Sequence, residues 1–268
     1  MNHSVCAYCK KPATPTKEHL WPAALHRRLY SANNQTHNSF WLARLRRDIP
    51  AEPQIRDVCA HCNNVVLSEL DSYICNLFDS TLINIVERNQ EVTFEHDYHL
   101  LKRWLLKMSY NSSRIHNSLD REALECLLPY ILGEDERLGR SVQLFVQLVY
   151  PEEMDEHELD ESSTSSGRRL FEPSMHRVGH MFFRAHGIGE KVLRAVHLRS
   201  YSFFLAYWPP DGGRAEQDDF DNVFTTCVRA ARLLRPSQSS VCLTCNGMGA
   251  WQSFRESRNM QLVSDNDV

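Results

Sequence analysis

The sequence predicts an α+β protein in three parts: a metal-stapled N-terminal module, a helical middle and a β-containing C-terminal part. Three observations predict it. Two Cys-x-x-Cys pairs, Cys6/Cys9 and Cys59/Cys62, bracket an irregular first stretch. Directly after Cys62 the apolar residues recur at helical spacing, and from 142 they alternate with polar ones as in a strand. The corresponding divisions are 1–80, 81–135 and 136–268, the last with no role assigned.

Taken in order, residues 1–62 are punctuated by Pro12, Pro15, Pro22, Pro50 and Pro53, which break them into short segments. Val66, Leu67, Leu70, Ile74, Leu77 and Phe78 share one helix face, with Asn63 or Asn64 placed to cap its start. Leu100, Leu101, Trp104, Leu105 and Met108 mark a second helix over 97–114. A third, over 120–132, ends at Gly133 and should be kinked or shortened by Pro129. "SVQLFVQLVY" (141–150) reads as a strand whose Gln143 and Gln147 form a wetter face. The acidic, Ser-rich 151–169 reads as an exposed loop. Further strands are expected at 176–184, 191–199 and 201–208, then a "PPDGG" turn, a helix over 219–234 and a strand over 239–244. The tail from 255 is polar and reads as frayed.

Composition narrows the class. Hydrophobic residues at 42% and charged residues at 24% are ordinary for a globular protein. No run of 18 apolar residues appears, so no membrane span is expected. The first residues lack a basic-then-apolar leader, which points to a cytoplasmic, reducing setting. There nine cysteines call for metal before disulfides. Net charge is −4, but residues 1–62 carry +5 and the remainder −9. A basic segment on an acidic body is the footprint of a phosphate-binding face; scattered solvated charge is the plainer alternative.

Each cysteine pair can place two thiolates on one tetrahedral ion, so the two together form a structural zinc site. The 49 residues between the pairs make this a long loop for one ion to close. Two unrelated buried cysteine turns are the competing reading. His61 lies between Cys59 and Cys62 but is not needed as a ligand. "VCLTCN" (241–246) repeats the pattern without a second pair, so Cys242 and Cys245 read as core cysteines, as do Cys75 and Cys126 within helices.

The pattern C-x-x-C … E-H-x-x-P … C-x-x-C-N followed by an apolar helix resembles the HNH (ββα-metal) endonucleases. The similarity is to the zinc-bound branch that includes phage recombination endonuclease VII, and it covers about residues 1–80. The resemblance implies a zinc-stabilised ββα-metal finger that hydrolyses DNA phosphodiester bonds. His19 would be the general base activating water, and Glu18 and Asn63 would hold a catalytic Mg²⁺, with Mn²⁺ a possible substitute. A neutral imidazole suits the base, and carboxylate and amide oxygens suit a hard cation. Such proteins serve restriction or phage defence, which is a family-level expectation.

The chain departs from the family in three ways. Glu18 stands where Asp is commoner, no histidine follows Asn63 in the helix, and the central asparagine has three candidates, Asn33, Asn34 and Asn38, with His37 nearby. The insertion at 23–54 interleaves Arg27, Arg28, Arg44, Arg46 and Arg47 with Tyr30, Phe40 and Trp41. It serves either as a grip on DNA phosphates or, through "FWLARLRR", as a helix packed on the finger. Two other functions stay open: a non-catalytic zinc module that binds nucleic acid or protein, and an RNA-directed nuclease.

Overall fold

A computed structural model describes residues 4–33, 40–42, 47–49, 52–161, 169–209 and 213–263. Short strands β1 (Ser4–Val5) and β2 (Pro12–Ala13) pair around the first cysteine turn. β3 (Pro15–His19) runs into α1 (Ala23–Ala32), where Pro22 stands just before the first turn. The stretch read as an alternative helix is instead a hairpin, β4 (Phe40–Leu42) with β5 (Arg47–Ile49). Arg44 and Arg46 lie outside the described residues. β6 (Gln54–Cys59) then returns along β3, antiparallel, with a bulge between Thr16 and Lys17.

The helix after β6 begins earlier than the apolar pattern suggests. Its backbone is helical from Ala60, passes through a π-turn at Cys62–Val66 and continues as α2 (Leu67–Leu77), then a second π-turn at Phe78–Leu82. Asn63 therefore sits inside the first turns and caps nothing. β7 (Glu91–Glu95), which no periodicity marked, pairs with the later β15. α3 (Tyr98–His116) starts where Asp97 accepts the Leu100 N–H at 2.9 Å, a side-chain N-cap. The expected third helix is split into α4 (Arg121–Glu125) and α5 (Leu128–Ile131), with Pro129 in the first turn of α5. Gly133 ends it at φ 79°, as its position predicted.

β8 (Val142–Tyr150) is the spine of the main sheet. Gln143 and Gln147 are buried, not wet, because side-chain hydrogen bonds satisfy them. Gln143 donates to the Gln217 carbonyl at 3.0 Å and accepts from Trp208 Nε1 at 2.9 Å; Gln147 donates to the Arg229 carbonyl at 2.8 Å. The region read as a loop holds β9 (Glu152–Glu153), α6 (Glu156–Glu161) and, beyond 162–168, β10 (Leu170–Phe171) paired to β9. β11 (His176–Ala185), β12 (Gly189–Leu198) and β13 (Tyr201–Tyr207) form a meander close to the expected bounds. Of the "PPDGG" turn, residues 210–212 lie outside the described residues.

α7 (Arg214–Cys227) starts and ends before the expected 219–234, and β14 (Arg232–Leu234) occupies the remainder. β15 (Ser240–Thr244) and β16 (Met248–Gly249) precede α8 (Ala250–Val263), so the tail is helical well past 255. The sheet order is β11-β12-β13-β8-β14, with β16 parallel to the far end of β8. One face of this sheet packs on α3, and the other is covered by Phe220 and Phe224 of α7. The α+β architecture is thus as the sequence predicts, and among the described residues no helix is long and apolar enough to cross a membrane.

Candidate metal centre and the face beside it

Cys6 and Cys9 lie in the turn between β1 and β2, Cys59 ends β6, and Cys62 sits in the first turns of the following helix. Folding β6 onto β3 brings the four together. Their Sγ atoms all lie within 4.8 Å of one another, with Cys9 and Cys59 at 3.9 Å. A tetrahedral Zn²⁺ with bonds of about 2.3 Å sets its sulfurs about 3.8 Å apart, so the four thiols fit that ion. Backbone N–H groups already point at the sulfurs: Cys59 N to Cys6 Sγ and Cys62 N to Cys59 Sγ, each 3.3 Å.

The thiols differ in acidity. Burial raises Cys6, but the backbone N–H donors of Cys59, Cys9 and Tyr8 more than offset it and bring its pKa down to about 7. Burial dominates at Cys62 and Cys9 and pushes both up. Four thiolates this close repel one another, and a divalent cation such as zinc would offset half of their charge and favour the deprotonated form of each. Among the described residues these cysteines are the one group of three or more His, Cys, Asp or Glu side chains close enough to share an ion. Cys245 is a buried core residue, as expected, while Cys242 and Cys126 are exposed.

β3 carries Lys17, Glu18 and His19 with strand alternation, so Glu18 faces inward and its two neighbours face outward. Glu18 is 5% exposed. Its Oε1 lies 3.0 Å from Lys107 Nζ and accepts from Asn111 Nδ2 at 3.1 Å. Lys107 also donates to both oxygens of Asp71 at 2.7 Å. Burial opposes the Lys107 charge, and Asp71 and Glu18 more than offset it, so its pKa is raised.

His19, by contrast, stands on the partly open side. Its Nδ1 is 2.8 Å from Glu52 Oε2, and the Trp21 backbone N–H donates to Glu52 Oε1 at 2.9 Å. Burial raises the Glu52 pKa, while His19 lowers it. Lys17 lies directly across from Arg56 on β6, both exposed, and Arg56 Nε donates to the Pro15 carbonyl at 3.3 Å. Like charges opposite each other in a hairpin repel, and a polyanion relieves that repulsion. Asn63 Nδ2 donates to Thr16 Oγ1 at 2.9 Å and to the Lys17 carbonyl at 2.8 Å, tying the helix start to β3.

The two residues expected to hold magnesium sit in different surroundings. Glu18 is paired with an ammonium in the interior, and Asn63 is engaged through its Nδ2. The residues that hold the finger from behind were not marked by any motif. Lys107, Tyr110, Asn111 and Arg114 lie at i, i+3, i+4 and i+7 on α3 and all point at it. Asn111 Oδ1 accepts from Tyr8 Oη at 2.6 Å, Tyr110 Oη donates to the Ala7 carbonyl at 3.1 Å, and Arg114 donates to Asp57 at 2.5 Å. Polar residues at apolar-face spacing in a helix were the available signal.

Together these features define a class: a β-hairpin and helix stapled by four thiolates, with a carboxylate-oriented histidine on the open side of the hairpin. No protein-family model, curated protein or solved structure matches the chain.

Proposed function

We propose that the chain is a zinc-stapled nuclease of the HNH kind that hydrolyses phosphodiester bonds in DNA, with His19 as general base. The observation that carries this reading is the His19–Glu52 contact at 2.8 Å on the side of the hairpin that also bears Lys17 and Arg56. With a carboxylate at Nδ1, that nitrogen holds the proton and Nε2 keeps its lone pair. Nε2 takes a proton from the attacking water, and Glu52 stabilises the imidazolium that forms. The Trp21 N–H fixes the far oxygen of Glu52, so the ring keeps its orientation. Lys17 and Arg56 bind the phosphate oxygens, and Asn63 holds the helix start against the Lys17 backbone.

Glu18 is given no metal in this reading, because Lys107 and Asn111 already occupy its Oε1. Magnesium, implied by the resemblance alone, would shield the phosphate charge; the role left to the chain is base, orientation and phosphate contact. A second reading, a zinc module that binds nucleic acid without cleaving it, draws on that same engagement of Glu18. Plasmid nicking in Mg²⁺ and in Mn²⁺, with an RNA arm, separates the two. His19→Ala is expected to lose activity by about 10²–10⁴, and Glu52→Gln by a smaller factor. A wild-type chain inactive on DNA and RNA in both ions supports the binding module, and a fully active His19→Ala places the base elsewhere.

A further inference from the structure

The sheet face under α7 is apolar through Phe145, Leu193, Ala195 and Phe204. One row further along, its chemistry changes. Arg177 of β11 pairs directly with His197 of β12, His197 with Ser202 of β13, and Ser202 with Gln147 of β8. Four polar residues thus form one straight cross-strand row. The row lines a partly open cavity of about 80 Å³, which Met248 of β16 and Ser253 and Glu256 of α8 line as well.

Most of the row is internally satisfied. His197 Nδ1 lies 2.7 Å from Ser202 Oγ, and Gln147 donates to the Arg229 carbonyl. Arg177 is the exception. Its guanidinium has no hydrogen-bond or ion-pair partner among the described residues, and burial pulls its pKa down to about 10. Two buried arginines nearby do have partners: Arg194 Nε of β12 donates to Asp120 at 2.5 Å, and Arg199 Nη1, in the turn after β12, donates to Asn33 at 2.6 Å. A half-buried guanidinium that lines a cavity and has no counter-charge presents its planar donors to an anion that enters. The one lining carboxylate, Glu256, is held by Gln252 Nε2 at 3.0 Å and forms no ion pair with Arg177.

Gly179 supplies the space. It is the next residue on the same face of β11, and its backbone is not in the left-handed region that favours glycine. A Cβ there would meet only the Arg177 guanidinium, at 3.7 and 3.8 Å. A glycine inside a strand with no backbone need for it weakens the strand and marks a place where another group approaches closely.

We propose that this cavity binds a small oxyanion, inorganic phosphate or the terminal phosphate of a nucleotide, on Arg177 in the space left by Gly179. A guanidinium fits two phosphate oxygens at once. The volume admits one phosphate group and leaves any attached nucleoside outside.

The test is calorimetric titration of the full zinc-loaded chain, without added divalent ion, using inorganic phosphate and, separately, adenosine monophosphate. Saturable binding is expected for the wild type. Arg177→Met should weaken it at least tenfold. Gly179→Val should do the same by filling the cavity, while its thermal unfolding midpoint stays equal to wild type or rises. Glu256→Gln should tighten binding by removing a repelling charge, and Arg140→Met, on a different cavity, should leave it unchanged. Tighter monophosphate than phosphate identifies a nucleotide as the source, and equal affinity identifies the free ion. No saturable binding of either probe, or binding that survives both Arg177→Met and Gly179→Val, overturns the proposal.

Discussion

At the scale of single residues, adjacent positions on one strand carry unlike tasks. Glu18 and His19 stand side by side in sequence, and the strand's two-residue period sends them to opposite faces. The dipeptide was legible in the sequence; its division was not. Glu18 is fixed by Lys107 and Asn111, roughly ninety residues away, and His19 by Glu52, within an irregular insertion. Long-range pairing of this sort leaves no local spacing to read. If Glu18 is the buried counter-charge of Lys107, Glu18→Gln should cost about 3 kcal/mol of stability in denaturant unfolding. It should leave the Mg²⁺ concentration for half-maximal nicking unchanged. A large rise in that concentration with little loss of stability would instead return Glu18 to the metal.

At the scale of elements, periodicity found those whose burial it encodes and misjudged those whose partners were distant. α3 was expected from Leu100, Leu101, Trp104, Leu105 and Met108, and it forms. Its buried lysines were not foreseen, because an apolar stripe does not announce the polar residues packed beside it. Lys102 shows what such burial implies. It donates to Tyr98 Oη at 2.9 Å, to the Gly139 carbonyl at 2.6 Å and to the Val142 carbonyl, with no carboxylate, and burial pushes its ammonium down to about 7. The unfolded chain keeps that lysine protonated to its ordinary value near 10.5. Between those two values unfolding takes up a proton, so stability should rise with pH, by at most about 1.4 kcal/mol per unit. Chemical unfolding from pH 7 to 10 should show this slope in the wild type and lose it in Lys102→Met. An identical slope in both chains removes Lys102 as the cause. β8 gives the parallel lesson: alternation located the strand, but the glutamine face is closed by α7 and Trp208, which lie some 60 to 80 residues further along.

At the scale of the whole molecule, the three divisions read from texture share one interior. A continuous hydrophobic cluster runs from Cys6 and Tyr8 through Leu70, Trp104 and Tyr110 to Val146, Phe203 and Leu234. α3 is the common member, with Asn111 and Arg114 against the finger and Lys102 against the start of β8. Composition marked the change of texture, but it carries no information about whether two textures are packed on one helix. This continuity changes what zinc is expected to do. In a free-standing finger, an ion worth on the order of 10–16 kcal/mol would support only the finger's own folding. Here its loss should loosen Tyr8 and Glu18, and with them the side chains on α3 that also bury the sheet. Stripping zinc from the full chain with a chelator should therefore lower a single cooperative unfolding transition, read alike by tryptophan fluorescence and by far-ultraviolet dichroism. Cys59→Ala should reproduce that shift without the chelator. Two separate transitions, with the later one unmoved by zinc, would mean that the sheet stands on its own and that α3 does not couple it to the metal.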